Sequence, residues 1–356
     1  MNTTPQVLSP TRRNVTVSAI CATVFINLAL CPIASAENIS SVPFTDSFKP
    51  AERASTMVTM TDASKANFKD IKRVALSGFH VQFVTKGAAS ASAYTIGKKG
   101  SAQTNVQLTL VGLKPDDFQA ITDKLYADFV SDLKAMNIDV VPTAQILAAT
   151  AYKKMAATGR PAPAETRDRT SWSSLYTPDG LALYGVGTSA NPAGMFGIFN
   201  TMSEISATAF ANGELSKELD ATLFVVRLVV NFVDTKTSTA SWLGRSSGEA
   251  KVSWAMGPSI AAEESTLNIN SQGWNTVLTL KSPLMINGAA FKEVKDTSSI
   301  AANVGVALFS LAIGQGGAVS IVEKEAVADP EKYRELVGAG AGAVREMWME
   351  RFRAGK

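Results

Sequence analysis

Three short patterns in the chain carry residue types that could perform acyl transfer. Ser131-x-x-Lys134, within FVSDLKAM, sets a hydroxyl and an amine one helical turn apart. Ser189-Ala190-Asn191 and Lys236-Thr237-Ser238 follow it in the order used by penicillin-binding enzymes. That chemistry needs the serine at the positive end of a helix and oxyanion donors in a pocket. Ser131 instead falls deep in a helix, on a polar stripe with Lys124, Asp128 and Ala135. The Lys236 triplet follows Asp234, where a long strand is expected to run out, so the three patterns read as chance neighbours.

Other chemistries narrow quickly. Gly185-x-Gly187-x-x-Ala190 follows an apolar stretch as a dinucleotide fingerprint would, but Pro192, Gly194 and Gly197 stand where the helix must open. A glycine-rich turn is the better reading. His80 is the only histidine, which removes His-pair mechanisms and His/Cys zinc sites. It sits in a strand, on the side away from Phe79, Val81 and Phe83, as an ordinary polar-face residue. No catalytic, cofactor-binding or metal-binding residue is assigned, and no cofactor is expected. A hydrolase working through carboxylates stays open, because the acidic residues show no telling spacing.

The N-terminus sets the compartment. Arg12 and Arg13 precede an uncharged apolar run that ends in Ala34-Ser35-Ala36, the layout of a secretory signal peptide cleaved after Ala36. Ala34 and Ala36 are the small residues that the peptidase pockets require. Cys21 and Cys31 both lie within this segment, so the mature chain holds no cysteine and no disulfide. Leu30 before Cys31 and Ile20 before Cys21 are wrong for a lipobox. Removing Arg12 and Arg13 lowers the formal net charge of +3 by two, which leaves no basic field to recruit nucleic acid. The expectation is a periplasmic protein; outer-membrane association is the alternative.

The elements that would position any site follow from periodicity. Residues 37–70 show no sustained period and read as an N-terminal extension. A strand starts at Lys72; its apolar positions change parity at Gly78, as at a β-bulge. Lys86–Asn105 is rich in alanine, serine and glycine and reads as the long mobile loop of a hairpin, whose second strand is Val106–Leu113. Pro115 opens a helix whose apolar face is Phe118, Ile121, Leu125, Phe129, Leu133 and Met136. A strand at Ile138–Val141, a helix over Thr143–Ala157 and a linker at Thr158–Thr170 follow. Ala221–Val233 is apolar on both faces and belongs in the centre of a sheet, where Arg227 needs a partner. Further strands fall in GEAKVSWAM and WNTVLTLKS. Thr297–Val322 is uncharged and reads as a buried core helix with a turn, or as a membrane-inserted segment. Asp329 and Pro330 cap a last helix, whose Gly338–Ala343 patch admits close approach of another backbone. The fold class expected is α/β (α+β), a mixed sheet flanked by helices, with a helical C-terminal segment. The domains are 1–36 signal peptide, 37–70 extension, 71–260 α/β domain, and 261–356 strand plus C-terminal helices.

The stretches DKLYADFVSDLKAMNIDVVP, a helix feeding a strand, and ELDATLFVVRLVVNFVDTKTS, a strand ending in a polar turn, carry a resemblance. This order of elements resembles the periplasmic α/β domain of curli secretion-channel-type lipoproteins and of the Tol β-propeller protein N-terminal region. The resemblance implies partner binding or assembly and no catalysis. The function expected is therefore an exported binding or assembly protein of the cell envelope, with an envelope protein or further copies of itself as partner. An oligomeric outer-membrane pore or secretion component is the alternative; its hairpins would come from Lys86–Asn105 and Gly185–Asn200. Those segments show no strong apolar alternation, which favours the soluble reading.

Overall fold

A computed structural model of the chain describes residues 41–61, 66–94, 101–167, 171–178, 180–184, 211–239, 250–272, 274–297 and 318–356. Ser40–Lys356 forms one compact unit. Two long strands run through it: β3 (Arg73–Tyr94) and β8 (Thr222–Thr239). They pair in parallel from Val74↔Thr222 to Phe83↔Val230, with a register shift between Leu76 and Gly78, where the parity of the sequence changes. The bulge requires glycine: a Cβ at Gly78 would stand 2.9 Å from Val225 Cγ1.

Around this pair the mixed sheet curls. On the outer side of β8, its first half meets β10 (Thr266–Ser271) and its second half meets β9 (Ala250–Ile260), both antiparallel. β10 continues into β11 (Trp274–Leu280), and β11 pairs with β2 (Val58–Met60). Along β3 the partners are β5 (Asp139–Val140), β7 (Ser171–Tyr176) and β4 (Ser101–Val111) in turn. β14 (Ala318–Ala328) lies parallel to β4 and carries β13 (Phe291–Asp296) on its far side. β12 (Leu284–Ile286) joins β9 to β1 (Val42–Phe44). The expected mixed sheet with flanking helices and a C-terminal helix is what the chain forms.

Helix α2 (Pro115–Ala135) begins where the sequence places it, and the Lys114 N–H donates to Asp117 Oδ2 at 2.8 Å. Phe118, Ile121, Leu125, Phe129 and Leu133 are all buried. Phe129 lies 5.6 Å from Phe79 and 6.3 Å from Trp348 of the C-terminal helix, Pro330–Gly355. That last helix spreads Phe352 onto Phe224 at 5.3 Å, so both helices cover the apolar face of β3 and β8. Ion pairs clip them together at the rim: Arg345 reaches Asp128 at 2.8 Å and Asp132 at 2.9 Å, and Arg334 reaches Asp117 at 3.2 Å. Of Gly338, Gly340 and Gly342 in the expected small-residue patch, only Gly340 meets a neighbour closely, where an added Cβ would lie 2.6 Å from Ile286 Cδ1.

Helices α3 (Thr143–Ala148), α4 (Thr150–Ala157) and α5 (211–219) follow, the last seating Leu215 and Leu219 in the core. Glu218 of α5 accepts the Thr150 and Ala151 N–H groups at 2.7 and 2.8 Å, capping α4. With them numbered, the C-terminal helix is α6, and α1 is the short helix Pro50–Met57.

Several expectations are corrected. The supposed extension contributes β1, α1 and β2, which are held by β12, α6 and β11 and so need no period of their own. The single helix over 143–157 breaks at Ala149, whose backbone is extended (φ −61°, ψ 137°). The linker at 158–170 contains a strand, β6 (Ala164–Arg167), paired with β7. The helix and turn expected within Thr297–Val322 fall on residues 298–317, outside those described, and the remainder of that stretch opens β14.

Candidate functional site: two β-ribbons and a capped histidine

β3 and β8 part company after Phe83 and Val230, and each then turns back as a hairpin. The first ribbon pairs β3 with β4 from Lys86↔Thr109 to Tyr94↔Ser101. Within the loop expected across Lys86–Asn105, residues 86–94 and 101–105 are strand, because β4 supplies the partner that alanine and serine cannot specify alone; 95–100 lie outside the described residues. Along β4, Val106, Leu108 and Leu110 are buried, while Asn105, Gln107 and Thr109 between them are half-exposed. The register sets Gly87 against Leu108 and Ala89 against Val106, so small residues of β3 share the apolar positions of β4.

The second ribbon pairs β8 with β9 up to Thr239↔Ala250. Val233↔Met256, Thr235↔Trp254 and Thr237↔Val252 alternate with Asp234↔Ala255, Lys236↔Ser253 and Ser238↔Lys251. Apolar and threonine pairs thus alternate with charged and small ones, the pattern of a ribbon with two unlike faces. The Lys236–Ser238 triplet lies inside this strand rather than past its end, which corrects the expectation. A second hairpin is formed by Val230–Ile260; Gly185–Asn200, the other segment expected to supply a hairpin, lies outside the described residues. At the base the ribbons touch: a Cβ at Gly87 would stand 3.4 Å from Val233 Cγ1.

Two physical features make the ribbons a candidate interaction surface. β4 and β9 each have 11 residues, the length that crosses a bilayer when tilted. Among the described residues, β8 beyond Val230 pairs only with β9, and β9 before Ser259 pairs only with β8. A lone two-stranded ribbon is marginal in water, and its open edges can template another strand. The sheet end at β13 is guarded differently, by exposed Lys292, Glu293, Lys295 and Asp296. No helix among the described residues is long and apolar enough to cross a membrane, a statement that does not bear on strands.

The other candidate is the surrounding of His80. It is 3% exposed, not on a wet face as its strand position suggests. Burial pulls its pKa down to about 4; a hydrogen bond to the Ala182 backbone opposes that shift, and the charge of Arg227 adds to it. Tyr184 stands edge-on to the imidazole at 5.8 Å, and its own pKa is pushed up by burial. Arg227, opposite His80 in the register, finds its partner in a neutral amide: Nη2 donates to Gln82 Oε1 at 3.1 Å. Gln82 in turn donates to Ser173 Oγ at 3.0 Å. This is a buried polar network, and sequence missed it because the covering face comes from 180–184, far along the chain.

Ser131 and Lys134 are exposed on α2, well past its first turn, and on the polar stripe of Ser131 Asp128 is tied to Lys124 at 2.9 Å as well as to Arg345. Ser189–Asn191, Gly185, Gly187, Ala34 and Ala36 lie outside the described residues. Among the described residues no three His, Cys, Asp or Glu side chains gather as a metal set. No family model, curated protein or solved structure matches the chain.

Proposed function

We propose that this is an exported cell-envelope assembly protein whose working form is an oligomer, in which the ribbons of successive copies pair edge to edge as the wall of a membrane pore or secretion conduit. The observation that carries this reading is the second ribbon, of membrane-crossing length, alternating in its register and unpaired on both edges among the described residues. In this reading residues 1–36 direct export and are removed after Ala36. The compact part, with α2 and α6 clamped on the sheet, stays outside the bilayer and sets the angle at which the ribbons leave it. The resemblance to curli secretion-channel-type domains agrees with assembly and adds no catalytic step. A soluble binding protein of the periplasm is the second reading. It is favoured by the contact of Gly87 with Val233, through which the two ribbons cover each other within one chain.

Light scattering on the mature chain, with and without detergent, combined with dye release from vesicles of phosphatidylethanolamine and phosphatidylglycerol, separates the two. Multimers in detergent and dye release support the pore. A monomer in both conditions with intact vesicles overturns it in favour of the soluble protein.

A further inference from the structure

Residues 180–184 cross the face of the central strand as a short strap. Leu181, Leu183 and Tyr184 are buried, and Gly180 turns the chain in the left-handed region at φ +87°. Three anchors hold the strap down. The Ala182 N–H donates to Tyr152 Oη of α4 at 2.8 Å, and the same residue's backbone is hydrogen-bonded by His80 of β3. Arg160 N–H donates to the Leu183 carbonyl at 2.8 Å. The seat for Tyr184 is the bulge glycine, where an added Cβ would come within 3.1 Å of the tyrosine oxygen. Beneath the strap, His80 Nε2 is buried and has no hydrogen-bond partner among the described residues.

We propose that the strap is an acid-released latch: protonation of His80 lifts Leu181–Tyr184 from β3 and opens the buried face of the strand to water. The charged and titratable groups around the imidazole all oppose a second positive charge or ignore it. Arg227 of β8 stands opposite in the register and repels an imidazolium. Tyr184 of the strap and Tyr152 of α4 have pKa values raised by burial, so both stay neutral and neither can become an anion to receive the proton's charge. An imidazolium trapped there would lack both water and a carboxylate, and lifting the strap supplies water. The sign follows from a histidine whose pKa is near 4 when covered and ordinary, near 6.5, when uncovered. The uncovered form binds the extra proton, so the closed latch is fully favoured above the ordinary value and is lost as pH falls toward the covered one. From pH 7 to pH 4 the opening constant should rise about 100-fold.

Because His80 is the only histidine, its ring resonances in NMR need no assignment. The test follows the ring through pH 7 to pH 4 in the full mature chain, together with hydrogen-exchange protection of 180–184 corrected for intrinsic rates. The proposal expects a ring midpoint well below the ordinary value and a fall in strap protection of about 100-fold, while α2 keeps its protection. His80→Gln retains an N–H for the Ala182 carbonyl but cannot titrate, and its strap protection should not vary with pH. Arg227→Gln should raise the ring midpoint. A ring that titrates at its ordinary value, or strap protection unchanged down to pH 4 in the wild-type chain, overturns the latch, whether or not either variant folds.

Discussion

The contact between the two ribbons can be locked. Gly87 is buried, its backbone lies outside the left-handed region, and an added Cβ would make an ordinary 3.4 Å contact with Val233 Cγ1. The two Cβ positions therefore lie at most about 4.9 Å apart, one carbon–carbon bond more than that contact. A small side-chain or backbone adjustment brings Gly87→Cys and Val233→Cys within disulfide range. No native thiol competes once residues 1–36 are gone, since Cys21 and Cys31 are the only cysteines. The bridge would close a loop of about 150 residues, and the chain-entropy argument gives it about 5 kcal/mol of stabilisation, less any strain. In a thermal melt that is a rise of roughly 5–10 °C, reversed by reductant. The functional consequence separates the two readings. If the ribbons must leave each other to pair with neighbouring copies, the oxidised double variant should stay monomeric in detergent and leave vesicles sealed, and reduction should restore multimers and dye release. Oxidised protein that releases dye as fast as reduced protein would refute the reasoning, because the ribbons would then insert without separating at their base.

Leu125→Ala removes a 3% exposed side chain between α2 and its neighbours and should destabilise the fold by about 2–5 kcal/mol, read from a urea titration. Ser131→Ala should leave stability unchanged to within about 0.5 kcal/mol, and a fluorescent penicillin should not label the wild-type protein, since Ser131 is exposed on the outer face of α2. Intact mass of the exported protein should match a chain beginning at Glu37 with no acyl mass, and a diacylglyceryl group on Cys31 would contradict the reading of the N-terminus.

What could be read from sequence was whatever repeats itself within one element. α2 announces itself because five of its apolar residues fall on one stripe over about four turns, and all five are buried. The bulge at Gly78 was visible because the parity of apolar residues changes there, and a parity change in a strand has few other causes. Asp329 and Pro330 mark the start of α6 by the same local logic, the Asp329 carboxylate accepting the Lys332 N–H at 3.4 Å. Elements held by distant partners left no such trace. β1 and β2 have three residues each, too few for any period, and they exist because β12 and β11 offer edges 200 residues or more away. His80 was placed on the correct side of its strand, yet its burial depends on Leu181–Tyr184 lying over it.

The hairpin of β3 and β4 was expected, but the length of both ribbons was missed. Residues 88–93 are alanine and serine, which as a single strand specify neither a buried face nor a register. Only when β4 is laid beside them does a face emerge, with Gly87 and Ala89 opposite Leu108 and Val106. The polar run Asp234–Thr239 was read as a turn on the same grounds, and it becomes a strand only through β9. A strand whose own sequence holds it weakly to one partner is also a strand that can exchange partners at low cost. In the proposed assembly, a ribbon built from small residues would have little apolar surface to strip as it pairs with a neighbouring copy, and the backbone hydrogen bonds within each hairpin would travel with it. The core makes the opposite choice: β3 and β8 up to Phe83 and Val230 are packed with Phe79, Phe83 and Phe224 beneath two helices, and nothing there can slip. In the proposed assembly, the point where legible sequence gives way to illegible sequence is therefore the point where the fixed part of the protein ends and the exchangeable part begins.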